Sequence, residues 1–335
     1  MILVTGGADY IGSHVVRDLA DKGYSVLVLD NLSTGHLEAV DKRATFIFGD
    51  VRDSILLENI FKTFSVESVM HFAGSCLVGE SVRDPLKYYQ DNVANTVNLL
   101  QKMIEHNITN FIFSSTFATY GIPHEAIIHE KMPTNPINPY GKSKLMIETI
   151  LNSISKSHEF HYIALRYFNV AGAHISGEIG EDHEPETHLI PNILRHLQGK
   201  IPEIEILGND YETPDGTCIR DYIHVTDLSA GHILALEYLL QNQEKKIAEI
   251  FNLGTEKGVS VLEMIKLCEQ ITGAEATVKI KPRRPGDPPQ LVATSQKIKN
   301  ELGWAPKYDI KTTIETAWNW HQQHPKGYHQ KNYPR

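Results

Sequence analysis

Cysteine is scarce: Cys76, Cys218 and Cys268 are the three in 335 residues. They form neither a Cys-x-x-Cys pair nor a disulfide-dense pattern, so a reducing cytosol is the expected setting and no metal site is suggested. Long apolar runs are lacking too. The first, Ile2-Leu3-Val4, gives way at once to glycine and polar residues, and nothing approaches the roughly 20 apolar residues of a membrane span. A soluble, cytoplasmic protein with no membrane partner is expected. Positive charge is in deficit, with 32 Lys and Arg against 41 Asp and Glu, a net charge of -9. That balance argues against a general nucleic-acid or membrane-surface binder, although a basic pocket for an anionic metabolite remains compatible with it. No repeat is evident. The length suits one major domain with a smaller companion.

What is present begins at the first residues. Met1 to His14 reads as a buried strand, a glycine turn and a helix start, with Gly6, Gly7 and Gly12 permitting close approach of backbone. The helix N-terminus would face a pyrophosphate. In the G-x-x-G-x-x-G spacing set by Gly6 and Gly12, however, Asp9 fills the middle glycine position. A carboxylate about 5 Å from a phosphate charge costs roughly 3 kcal/mol at an effective dielectric of 20. Dinucleotide affinity is expected to suffer there, while the fold could gain from an acid at a helix N-terminus.

Strands and helices then alternate. Ser25 to Asp30, Thr45 to Gly49, Ser68 to Ala73, Asn110 to Ser115 and Tyr162 to Arg166 read as further strands. Ile11 to Lys22, Ser54 to Phe64, Pro85 to His106 and Pro139 to Lys156 read as helices. This order predicts an α/β fold with a doubly wound parallel Rossmann-type sheet. Beyond Phe168 the pattern loosens, with Gly/Pro-rich polar stretches at Gly172 to Glu186 and Gly208 to Gly216. Ile223 to Gln241 returns to a helical pattern and Glu249 to Leu253 to a strand; Lys281 to Pro289 interrupts regular structure, and Ile310 to His321 closes the chain as an amphipathic helix. A smaller α/β substrate domain, interleaved with the first, is therefore expected: 1–170 plus about 221–255 for the dinucleotide, 171–220 and 256–335 for substrate.

Several residues carry candidate chemistry. Asp30 ends the second strand about twenty residues after the glycine turn, where an acid can accept from ribose hydroxyls and would repel a 2′-phosphate, favouring NAD over NADP. It could equally be an ordinary polar strand end. Asp50, ending the third strand, could hold the adenine amino group or cap the next helix. Tyr140 and Lys144 lie four apart at the start of a helix that Asn138 can cap and Pro139 can open. An ammonium roughly 5 Å from a phenol favours the phenolate by about 3 kcal/mol, so Tyr140 could act as a general base tuned by Lys144, or the pair could be a solvated face. Ser114-Ser115-Thr116 delivers hydroxyls to the same sheet edge after the fifth strand, if it is not simply a turn. Arg220 and Arg284 suit a diphosphate, or else surface ion pairs with Asp221 and Asp287.

Taken together, Thr5 to His14, Leu29-Asp-Asn-Leu-Ser33, Gly49-Asp-Val51, His71-Phe-Ala-Gly74, Val78-Gly-Glu-Ser81, Ser114-Ser-Thr116, Pro139 to Lys144, Arg166-Tyr-Phe-Asn169, Pro214 to Val225 and Arg283-Arg-Pro-Gly-Asp287 cover almost the whole chain. With them the chain resembles the extended short-chain dehydrogenase/reductases, and within them the UDP-galactose 4-epimerase family. The resemblance implies bound NAD, transient oxidation at sugar C4, rotation of the 4-keto sugar and return of the hydride, interconverting UDP-galactose and UDP-glucose. It implies catalytic roles for Tyr140, Lys144 and Thr116. It implies cofactor contacts at Gly6, Tyr10, Ile11 and Gly12; at Asp30, Asn31, Ser33 and Gly35; at Asp50 and Val51; at Phe72, Ala73 and Gly74; and at Asn92, Ser114, Tyr140, Lys144 and Phe168. For the UDP-sugar it implies Thr116, Tyr140, Asn169, His188, Leu189, Leu207, Arg220, Arg284 and Asp287. It also implies a homodimer through Pro85 to His106 and Pro139 to Lys156.

Three departures qualify this expectation. Asp9 replaces a glycine, Phe117 follows Thr116 where a small residue is usual and is expected to overpack, and Cys76 stands where some members carry lysine. Leu291 lies near where a bulkier residue narrows the sugar pocket, so UDP-N-acetyl sugars are expected to fit as well. Two other readings compete. One is a nucleotide-sugar dehydratase or decarboxylase, which lacks its acid and base because Thr116 is followed by Phe117 and Ala118. The other is a silent UDP-sugar binder from which Asp9 excludes NAD.

Overall fold

A computed structural model of the chain describes residues 1–125, 127–283 and 287–328. The first half runs β1 (Ile2–Thr5), α1 (Tyr10–Asp21), β2 (Val26–Asp30), β3 (Thr45–Phe48), α2 (Ser54–Thr63), β4 (Ser68–His71), α3 (Val78–Arg83), α4 (Pro85–Tyr88), α5 (Asn95–Glu105), β5 (Asn110–Thr116), β6 (Ile127–Ile128), α6 (Pro139–Ser157) and β7 (His161–Tyr167). The second runs β8 (Asn169–Ala171), α7 (Leu189–Leu197), β9 (Ile204–Leu207), β10 (Ile219–His224), α8 (Val225–Gln241), β11 (Ala248–Leu253), β12 (Gly258–Ser260), α9 (Val261–Thr272), β13 (Val278–Lys281), β14 (Gln290–Ala293), α10 (Gln296–Leu302) and α11 (Ile310–Gln323).

Seven strands form a wholly parallel sheet in the order β11-β7-β5-β4-β1-β2-β3. Successive side chains of a strand point to opposite faces, and each face is buried. Ile2, Val4, Val26 and Val28 therefore join one core with Val15 and Leu19 of α1 and Leu236 of α8. Leu3, Leu27 and Leu29 join the other with Leu57 of α2, Leu99 of α5 and Ile147 of α6. The chain leaves β1 first toward β2 and β3, then returns to β4 on the other side, so the order reverses at β1. In such sheets ligands bind at the carboxyl ends of the strands beside that reversal. The turn there is built for close approach: Gly6 has φ +73°, and a Cβ on Gly12 would lie 2.1 Å from the Gly6 carbonyl oxygen.

The later elements form smaller sheets, with β10 joined to β8, β12 and β14, and β9 paired with β13. Ile193 of α7, Met264 and Ile265 of α9 and Ile314 of α11 close over their apolar side.

Two expected spans differ from what is observed. The stretch expected as one helix, Pro85 to His106, is α4, a π-helical turn at Tyr89–Ala94 and α5. Polar anchoring accounts for the distortion: the Asn92 amide donates to the Ser75 carbonyl and Ser143 Oγ, each at 2.9 Å, and its oxygen accepts the Ser75 N–H at 2.8 Å. The helix expected from Ile223 starts at Val225, because Ile223 and His224 are paired in β10 with Val170 and Ala171.

Candidate functional site

Because the seven strands are parallel, the segments following them meet at one edge. Gly6 to Gly12 follow β1, Asn31 to Gly35 follow β2, Asp50 and Val51 follow β3, and Phe72 to Gly74 follow β4. Thr116 ends β5 and Phe168 follows β7. Asn92 joins them from the π-helical turn, Tyr140 and Lys144 from the first two turns of α6.

Asp30 is 8% exposed and uses one oxygen on the Ala8 N–H (2.9 Å) and the other on the Leu32 N–H (2.8 Å). Each oxygen retains a second lone pair that a ribose hydroxyl can reach. Burial pushes its carboxyl up to about 6 against the pull of those two N–H groups. Asp50 accepts from Asn31 Nδ2 at 2.8 Å and from the Arg52 N–H at 2.9 Å, so it organises its own turn rather than capping α2, whose cap is Asp53. The second-strand acid, the glycine turn and the close packing of Gly35 on Ala8, where a Cβ would come within 2.7 Å, fit a dinucleotide.

The structure brings the catalytic candidates to one sheet edge, at the end of β5 and the start of α6. Asn138 caps α6 by accepting the Gly141 N–H at 2.8 Å. One turn in, Lys144 is 6% exposed and donates from Nζ to the Ser114 carbonyl at 3.0 Å, which ties the helix to the end of β5. The Thr116 hydroxyl lies near enough the Tyr140 phenol to favour its ionised form. The expected depression of that phenol is absent. Burial dominates and raises Tyr140 above the ordinary tyrosine value, opposed by Thr116, while burial also brings Lys144 down to about 8. A low-dielectric setting penalises both charges, so cofactor-free Tyr140 stays a neutral phenol.

Asp9 does not present a free charge to this edge. It is the N-cap of α1, accepting the Tyr10 N–H (2.7 Å) and the Thr34 hydroxyl (2.8 Å), and it pairs with His183 Nε2 at 3.1 Å. Burial alone would raise its carboxyl; His183, Thr34 and the Tyr10 N–H bring it to about 2. Burial would likewise lower His183, and Asp9 with Glu181 holds it up at about 12. The isolated carboxylate expected from the sequence is thus balanced by an imidazolium 174 residues away. Phe117 does not overpack: it is 2% exposed and stacks on Phe168 with ring centroids 3.9 Å apart.

The expected UDP-sugar residues line the elements opposite. Asn169 of β8 donates to the Asp221 carbonyl at 3.2 Å, and Arg220 of β10 pairs with Asp287 at 2.5 Å. Asp287 also accepts from Tyr211 at 3.3 Å. Asp221 instead turns inward onto Thr255, at 2.6 Å from its hydroxyl. Leu207 ends β9, and His188 precedes Leu189 at the start of α7, its Nδ1 3.0 Å from Glu186. Arg284 lies outside the described residues. Cys76 sits between the two groups, within electrostatic reach of Tyr140, Lys144, His183 and His188.

Sequence reasoning missed the support behind α6. Glu148, 3% exposed, takes Arg166 in a forked pair at 2.9 and 2.5 Å and the Ser115 hydroxyl at 2.6 Å. The i+4 step from Lys144 to Glu148 on a helix was the available signal.

Residues 2–254 match the model of the NAD dependent epimerase/dehydratase family. A UDP-glucose 4-epimerase of Halalkalibacterium halodurans is 51% identical over 99% of this chain and 98% of its own length. Among solved structures, a UDP-glucose 4-epimerase at 50% identity superposes with a TM-score of 0.95, covering 98% of this chain and 99% of that one. A Bifidobacterium longum UDP-glucose 4-epimerase in complex with NAD+ and UDP, at 40% identity, gives 0.92 over 98% and 99%. With the family model matched over residues 2–254 and relatives about half identical over nearly the whole chain, the chain belongs to the NAD dependent epimerase/dehydratase family.

Proposed function

We propose that the protein interconverts UDP-galactose and UDP-glucose by oxidation and re-reduction at sugar C4. The observation that carries this reading is the trio of Thr116, Tyr140 and Lys144 at the strand ends beside the β1 reversal, with Asp30 placed for an adenosine ribose. NAD, held at the glycine turn and by Asp30, would supply hydride-transfer capacity at sugar C4. Tyr140, steered by the Thr116 hydroxyl, takes the O4 proton as the C4 hydride leaves and returns it to the re-reduced sugar. Lys144, anchored on the Ser114 carbonyl, offers its remaining N–H donors and its charge to the phenolate that forms. Arg220, Asp287, Asn169 and His188 hold the UDP end, so that the 4-keto sugar can turn about its link to the diphosphate.

Elimination chemistry is disfavoured, since Thr116 is followed by a stacked phenylalanine and an alanine with no acid or base among them. The same reading divides the chain into a cofactor part, 1–170 with about 221–255, and a UDP-sugar part, 171–220 with 256–335. A homodimer through Pro85 to His106 and Pro139 to Lys156 is supported by Leu86, Val97 and Met146, apolar residues exposed on those segments. UDP-N-acetyl sugars are included as substrates because Leu291, paired with Arg220 across β14 and β10, is smaller than an aromatic side chain. Among the described residues no helix is long and apolar enough to cross a membrane.

Incubating the NAD-loaded protein with UDP-galactose and following the sugar signals by proton NMR tests the activity. Conversion to UDP-glucose with no accumulation of a 4-keto product is expected; a stable 4-keto or deoxy product would reject it. UDP-N-acetylglucosamine, tested in parallel, should also be converted.

A further inference from the structure

Beside the dinucleotide turn lies a cluster of side chains of which only His188 has a part in the reading above. Between β8 and α7, Glu181, His183, Glu186 and His188 bring one ligand atom each within 4.8 Å of all the others. The His183 Nδ1 lies 3.4 Å from Glu181 Oε1 and 3.9 Å from Glu186 Oε2; the His188 Nδ1 lies 2.8 Å from Glu181 Oε1 and 3.0 Å from Glu186 Oε1. Ligands at about 2.0–2.2 Å around a tetrahedral ion stand about 3.3 Å apart, so these edges need little adjustment.

Hydrogen bonding accounts for only part of the cluster: Glu186 Oε1 takes the Thr187 and His188 N–H groups and His188 Nδ1. Glu181 is 4% exposed, yet its Oε1 accepts no hydrogen bond and meets the two rings only as an ion pair. His183 Nδ1 is also buried without a hydrogen-bond partner. Buried polar atoms of this kind call for a partner. The opposite nitrogen of the same ring, Nε2, meets the Asp9 carboxylate at 3.1 Å. A carboxylate on the far nitrogen is the arrangement that orients a metal-ligating histidine and fixes its tautomer. Three carboxylates, those of Asp9, Glu181 and Glu186, face the two rings, and the Glu181 and Glu186 side chains are 4% and 3% exposed. One divalent ion carries the same charge as the two imidazolium protons it would replace and gathers it at a single point, leaving both rings neutral to ligate.

We propose that Glu181, His183, Glu186 and His188 form a structural site for a divalent cation of the zinc class, with Asp9 as the acceptor that orients His183. Two imidazole nitrogens and two carboxylate oxygens suit zinc better than the all-oxygen shells of magnesium or calcium. Four protein ligands close the shell, so the ion is a fastener. It clamps the 181–188 segment onto the first turn of α1 through Asp9 and fixes His188 next to α7. It gives Asp9 a purpose that a glycine at that position could not serve.

The test uses the full chain, stripped with a chelator and exchanged into chelator-free buffer, titrated calorimetrically with zinc chloride and with magnesium chloride as comparison. One zinc per chain is expected, with no comparable magnesium binding. Glu181→Gln, nearly the same in shape, and His183→Ala should each abolish that binding, and Asp9→Asn should weaken it about 10- to 100-fold as loss of an outer partner does. Cobalt substitution of the unmutated protein gives a second readout that does not depend on variants folding: intense visible bands of a tetrahedral ion are expected. Absence of stoichiometric zinc binding, or binding that persists in both Glu181→Gln and His183→Ala, overturns the site. Because zinc is titrated without UDP-sugar, its failure leaves the epimerase reading standing, and the reverse also holds.

Discussion

Asp9 and Tyr140 show how far single residues can be read from their neighbours in sequence. The i, i+4 spacing of Tyr140 and Lys144 and the strand-end position of Asp30 were legible because local geometry alone dictates where those side chains point. The electrostatic meaning of Asp9 was not, because its partner His183 comes from the other half of the chain. A double-mutant cycle measures that partnership. In chelator-treated protein, His183→Ala should weaken NAD binding by about two decades, the size of an uncompensated carboxylate beside a phosphate. Asp9→Asn should change it by less than about tenfold, and the double variant should recover most of the His183→Ala loss; equal affinities throughout would show the pair to be electrostatically silent. For catalysis, Tyr140→Phe should lower kcat by about 10²- to 10⁴-fold, with bound NAD retained, as loss of a general acid-base does.

At the scale of elements, the parallel sheet was legible because three or four consecutive apolar residues, bounded by turns, recur with helical patterns between them. What sequence could not show was how α6 and the helix before it are held. A pattern of apolar spacing does not reveal that Asn92 diverts Tyr89–Ala94 into a π-helical turn, nor that Glu148 and Arg166 join α6 to β7 underneath the catalytic pair. Removing one partner of a buried pair strands the other charge. Glu148→Ala should therefore cost about 3–5 kcal/mol in urea unfolding. Since Glu148 also holds Ser115, and Lys144 grips the next carbonyl back along β5, its loss should lower kcat as well. A stability change below about 1 kcal/mol would mean that water takes the place of the pair.

At the scale of the whole molecule, five histidines among the described residues are held neutral by burial. Burial lowers His14 and His71 to about 3 and His224, His232 and His321 to about 4. Each has a folded value below its unfolded one, so between them the unfolded chain binds more protons and stability falls as pH falls. The loss begins below about 6.5, at roughly 1.4 kcal/mol per pH unit for each histidine. Asp30, raised to about 6, acts in the opposite sense and offsets one of the five. Asp18, Asp221 and Asp227, also raised by burial, act in the same sense as Asp30. Cofactor-free protein should therefore lose stability between about pH 6 and 5, by about 1–5 kcal/mol per pH unit, seen as a falling urea midpoint. A flat midpoint across that range would mean that these histidines are hydrated.

The claim on which the whole molecule's function rests is that one hydrogen leaves sugar C4 and returns to it without meeting solvent. Its direct test is to supply UDP-galactose deuterated at C4 to the NAD-loaded protein in ordinary water and to read the C4 label in the UDP-glucose formed. Full retention of deuterium at C4 is predicted. Loss of the label to solvent during conversion would contradict hydride return and require proton abstraction from carbon instead.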